Sequence, residues 1–88
     1  MDKKFLDKVI EQIIYETEVS NGKVYFPFFG FGGIPRKSIS PSRITSLLLH
    51  NFGDHCRDVY GLSYGDEIIT AWGKFKNEYF DKFPYNGF

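Results

Sequence analysis

Four side chains able to ligate a metal or move a proton lie within seven positions: His50, Asp54, His55 and Cys56. Imidazole, carboxylate and thiolate together would suit a divalent cation such as zinc. The spacing argues against a shared site. On a helix His50 and Asp54 stand one turn apart on one face, whereas His55 and Cys56 point elsewhere and Cys56 falls on the apolar stripe. Two ligands do not close a site, so the group reads as a surface His50–Asp54 hydrogen bond, an exposed His55 and a small buried thiol. No His-Glu-x-x-His helix occurs elsewhere. The expectation is a protein that is not an enzyme, with no metal, no cofactor and no catalytic residue.

A second chemistry is anion binding. Gly30-Phe31-Gly32-Gly33 follows an extended segment, but a phosphate-cradling loop needs a helix directly after its glycines, and here Pro35 intervenes. A better anion site gathers Arg36, Ser40, Ser42 and Arg43 at the expected start of a helix, where free N–H groups and the helix dipole add to the cations. The plainer reading of the same residues is an N-cap in a solvated basic loop. A helix-turn-helix reader of DNA is disfavoured, because its reading helix would open on Tyr64-Gly65-Asp66-Glu67 and set two carboxylates against phosphates.

The third chemistry is recognition by rings. Residues 24–35, VYFPFFGFGGIP, carry five aromatic residues and three glycines without a charge. Val24, Phe26 and Ile34 are expected in the core. Phe28, Phe29 and Phe31, with Arg36 and Lys37, are expected at the surface, where they would meet a protein partner or a second copy of the chain. Single-stranded nucleic acid is the alternative, its bases stacking on the rings and its phosphates on the cations.

The rest of the chain must position these residues. Its 88 residues, 42% hydrophobic and 25% charged, make one globular domain small enough that core stability is marginal. With ten Phe, six Tyr and one Trp, there is more aromatic surface than one small core needs. The net charge of zero is unevenly spread: residues 19–53 hold Lys23, Arg36, Lys37 and Arg43 with no carboxylate, between two mildly acidic flanks. One cysteine excludes an internal disulfide and fits a reducing compartment. The Lys-rich start lacks the apolar stretch of a signal peptide, and no apolar run reaches the roughly 18 residues of a membrane span. A cytoplasmic protein making no membrane contact is expected.

Periodicity predicts three helices, giving a mostly α fold with a short extended β segment and a Gly-rich aromatic loop between the first and second. The first helix opens after Asp2 as N-cap and places Phe5, Leu6, Val9, Ile10, Ile13 and Ile14 on one face. It is expected to run on to Val19. The alternative, an α+β fold, ends it near Tyr15 and forms a hairpin on Asn21-Gly22, a pair suited to the positive φ angles of a two-residue turn. The second helix is expected to start with Ser40 as N-cap and Pro41 in its first turn. Its stripe Ile44, Leu47, Leu48, Phe52, Cys56, Val59 and Tyr60 stays in phase across Gly53, and Gly61-Leu62 ends it. The third is expected to start from Ser63, with Asp66 three residues on, and to bury Ile68, Ile69, Trp72, Phe75, Tyr79, Phe80 and Phe83. Residues 83–88 form an aromatic tail.

The opening Asp2-Lys3-Lys4-Phe5-Leu6-Asp7-Lys8-Val9-Ile10-Glu11-Gln12-Ile13, the segment His55-Cys56-Arg57-Asp58-Val59-Tyr60-Gly61-Leu62 and the later Glu67-Ile68-Ile69, Trp72 and Lys76-Asn77 resemble short uncharacterised proteins encoded by large tailed phages of marine bacteria. These stretches are helix faces and caps. The resemblance therefore implies no activity, only an accessory or virion-associated role.

Overall fold

The computed structural model describes residues 3–30, 32–42 and 46–85, apart from the side chains of residues 46 and 47. Three helices, α1 (Lys3–Glu16), α2 (Ser46–Tyr60) and α3 (Asp66–Lys82), surround a small antiparallel sheet of β1 (Glu18–Ser20), β2 (Lys23–Tyr25) and β3 (Ile34–Pro35) in the order β1-β2-β3. A 3₁₀ turn, Arg36–Ser38, follows β3. The fold is thus small, mostly helical and α+β.

The first helix stops at Glu16, short of the expected Val19. Thr17 is buried and ends it: its N–H donates to the Ile14 carbonyl at 3.1 Å and its hydroxyl to the Ile13 carbonyl at 2.8 Å. Those bonds satisfy carbonyls that another turn of helix would have used. The chain then makes the hairpin, with Asn21 at φ 53° and Gly22 at φ 75°, the twist a two-residue connection requires. Val19 pairs with Val24 and Val24 with Ile34. One sheet face sends Val24 fully into the core, with Val19 and Ile34 half-buried beside it, and the other leaves Glu18, Ser20, Lys23 and Tyr25 in solvent.

Helices α1 and α3 lie side by side and run parallel. Lys74 on α3 pairs with Asp7 on α1 at 2.6 Å, and two turns further along both helices Lys82 Nζ donates to the Ile14 carbonyl at 3.5 Å. Leu6, Val9, Ile10, Ile13 and Ile14 fill the contact. The expectation that Phe5, Val59 and Ile69 join the core is corrected: they are 43%, 59% and 59% exposed. Phe5 and Ile69 each sit about 100° around the helix from a buried neighbour, Leu6 and Ile68, and one of two adjacent helical residues must turn away. Val59 lies off the line of Phe52, Cys56 and Tyr60.

Neither later helix starts where expected. Ile39 is buried and holds the backbone extended at φ −107°, ψ 92°, so Ser40 is drawn into the body as well. Pro41 and Ser42 form a turn, and the described helix begins at Ser46. The expected positions Asp2, Ile44 and the tail residues 86–88 lie outside the described residues. At α3 the N-cap is Gly65, not Ser63. The Ser63 N–H donates instead to Glu67 Oε1 at 2.6 Å, so a carboxylate in the first turn of α3 satisfies it. Gly53 lies inside α2 as a close-packing point: a Cβ there would stand 3.3 Å from Ile68 Cγ2 and 3.4 Å from the Tyr64 ring. At its far end α2 closes on Gly61, whose N–H donates to the Arg57 carbonyl, and on the buried Leu62.

Candidate functional site

The rings of the middle segment divide at Phe28. Val24 and Phe26 are in the core as expected. Phe28 is there too, 8% exposed, which corrects its expected place at the surface. Its ring stacks on Phe26 at 4.9 Å and meets Phe52 and Phe75 edge-on, each at 5.5 Å. Phe52 in turn lies 5.1 Å from Trp72, and Phe26 lies 5.7 Å from Tyr79. This cluster joins the segment after β2 to α2 and α3, and burying each ring contributes roughly 1.5–3 kcal/mol. A helix pair with a sheet this short leaves a gap that only such bulky side chains fill. Phe29 is half-buried against the same cluster. Phe31 lies outside the described residues.

Cations and rings do meet, but a few residues along. The Arg36 guanidinium lies 5.9 Å from the centre of the Phe83 ring and donates to the Pro84 carbonyl at 3.3 Å. Lys82 Nζ reaches the same ring at 5.2 Å. Two elements far apart in sequence, the turn after β3 and the end of α3, thus bring positive charge to one aromatic ring. Burial pushes the Tyr79 hydroxyl up and the Arg36 charge pulls against it. The Arg36 N–H donates to the Gly22 carbonyl at 2.8 Å, which fixes the turn against the hairpin. Lys37 is exposed beside it, as is Tyr85 past the end of α3. Among the described residues neither Lys37 nor Lys82 forms an ion pair. The sequence grouped Arg36 and Lys37 with Phe28, Phe29 and Phe31, whereas Arg36 meets Phe83; only the fold brings the end of α3 to the turn after β3.

Of the expected anion site, Arg36, Ser40 and Ser42 are among the described residues. Ser40 is buried, with its hydroxyl 3.4 Å from that of Ser42. Arg36 is turned to Phe83 and Pro84, and Arg43 lies outside the described residues. No helical first turn stands at Ser40 to offer its N–H groups.

His50 and Asp54 do pair on the surface of α2, at 3.3 Å. The Tyr64 hydroxyl also donates to Asp54, and that bond, aided by the charges of His50 and Arg57, holds the carboxyl below its ordinary value against the opposing effect of burial. Arg57 lies 5.1 Å from the Tyr64 ring. Cys56 is fully buried, and burial pushes its thiol up to about 12. His55 is not exposed as expected: it is half-buried, and its Nε2 is buried without a hydrogen-bond partner. Among the described residues no group of three or more His, Cys, Asp or Glu side chains is arranged to hold a metal ion, and no helix is long and apolar enough to cross a membrane.

Between α2 and the start of α3 runs an open groove of about 290 Å³, lined by Leu49, Gly53, Tyr64, Ile68 and Ile69 with His50 at its rim. Both Ile68 and Ile69 were expected in the core, and the groove exists because only Ile68 is buried while Ile69 is exposed. Comparison with protein-family models, with curated proteins and with solved structures finds no match to this chain.

Proposed function

We propose that the protein is a small interaction module whose contact face is the cationic aromatic surface of Arg36, Lys37, Lys82, Phe83 and Tyr85, and that it takes an acidic segment of a partner protein. The observation that carries this reading is the convergence of Arg36 and Lys82 on the Phe83 ring, 5.9 and 5.2 Å away. Cations held over a ring form a surface that attracts carboxylates while offering an apolar platform, the pairing common at the centre of protein contacts. Charge complementarity selects the acidic occupant. The resemblance to tailed-phage proteins supports an accessory role, in the host cytoplasm or the virion.

A peptide of alternating Glu and Tyr, titrated into the labelled chain by NMR, tests the reading. Expected are shift changes at Arg36, Lys37, Phe83 and Tyr85, and at least tenfold weaker binding in the double variant Arg36→Ala, Lys37→Ala. Tighter binding of an oligo-dT strand at the same residues, falling steeply as salt rises, would assign the face to single-stranded nucleic acid. A dimer seen by light scattering, with Phe83 protected in it, would assign it to a second copy of the chain.

A further inference from the structure

His55 holds its imidazole between two rings, Phe28 at 6.4 Å and Tyr60 at 5.8 Å. Nε2 is closed off from solvent and meets no hydrogen-bonding atom. A neutral imidazole tolerates this, carrying its proton on Nδ1 and leaving Nε2 as a bare acceptor. An imidazolium does not, because it adds an N–H that needs an acceptor and a charge that needs solvation.

Two carboxylates near the ring oppose this balance. From α1, Glu16 faces the imidazole, and from α2 Asp58 does; both favour the charged form. Tyr60 stays neutral, its hydroxyl raised by burial, and so does the buried Cys56 thiol. Residues 26–30, packed on the other side, carry no ionisable group. Burial is the largest influence and holds the imidazole below its ordinary value of 6.5. Since His55 is only half-buried, rotation about its side-chain bonds gives it a route to water that leaves α2 intact.

We propose that His55 is an acid-sensitive latch over Phe28: neutral, its ring covers that edge of the aromatic cluster; protonated, it swings into solvent and uncovers Phe28. The latch is independent of the contact face at Phe83. Its sign follows from the depressed value. The unfolded chain takes up a proton near 6.5 and the folded chain only at lower pH, so the closed state is fully stable above 6.5 and loses stability as pH falls through that value towards the folded one.

Proton NMR of the full chain across pH 4.5 to 8 tests it. The expected result is a His55 midpoint below 6.5, Phe28 and Tyr60 ring resonances that shift with the same midpoint, and a Phe28 amide protection factor, corrected for the intrinsic exchange rate at each pH, that falls severalfold as pH drops through it. In His55→Phe, which keeps a ring in place and removes the proton site, the Phe28 resonances should no longer respond. A His55 midpoint at or above 6.5, Phe28 resonances unmoved through that midpoint, or an unchanged Phe28 response in His55→Phe would each overturn the latch. The wild-type titration decides the matter even if the variant does not fold.

Discussion

At the scale of single residues, the fold rests on rings brought together from separate parts of the chain. Phe28 touches Phe26, Phe52 and Phe75, so Phe28→Ala should destabilise the protein by about 3–5 kcal/mol, read from denaturant unfolding. Net stability of a domain this size is of the order of 5–10 kcal/mol, so that variant would lose a large share of its margin and melt at a much lower temperature. Lys37→Ala, which removes an exposed side chain, should change stability by less than about 0.5 kcal/mol. The contrast separates the two halves of the expected aromatic and basic surface: the ring is structural and the cation is free to act on something else. Cys56, with its thiol pushed up to about 12, should resist a thiol reagent at pH 8 in the folded protein and react promptly once denaturant is added. Modification of native protein at the rate of the unfolded chain would mean that the core around α2 opens readily.

At the scale of elements, the hairpin makes the sharpest prediction. Gly22 stands at φ 75°, where a Cβ costs about 1–2 kcal/mol, so Gly22→Ala should lower stability by that amount in thermal unfolding. Asn21→Gly should be close to neutral, because asparagine already tolerates the left-handed region. Much of this level was legible in the chain. Apolar spacing gave all three helices, and the stripe that stays in phase across Gly53 carried α2 through that glycine. The boundaries were less legible, for reasons that are tertiary. Ile13 to Val19 has no strong strand character, and the end of α1 depends on burying Thr17, whose hydroxyl can take a carbonyl only because the sheet packs there. Ser40-Pro41 is a good local helix start, yet burial of Ile39 outweighs it, since burying a large aliphatic side chain contributes more than one cap. Phe28 was misplaced because adjacent phenylalanines at 28 and 29 give no phase in a segment without regular structure. Lys82, Phe83 and Tyr85 were invisible as a site, because nothing local ties the end of α3 to the turn at Arg36.

At the scale of the whole molecule, the exposed rings come from most parts of the chain. Among the described residues they are Phe5, Tyr15, Tyr25, Tyr64 and Tyr85, and only Tyr25 belongs to the middle segment. The buried side chains form one contiguous cluster. Trp72 fluorescence and far-ultraviolet circular dichroism should therefore follow the same unfolding curve; separated midpoints would mean that the sheet or α1 unfolds independently. The parallel pairing of α1 with α3 also bears on how the polypeptide matures. On the ribosome, the first helix emerges long before residues 66–82 exist to cover its oily side, and Phe26 and Phe28 must likewise wait for Phe75. Nascent chains halted before α3 should thus remain protease-sensitive and prone to clumping, with lasting structure arriving only after the last helix clears the exit tunnel.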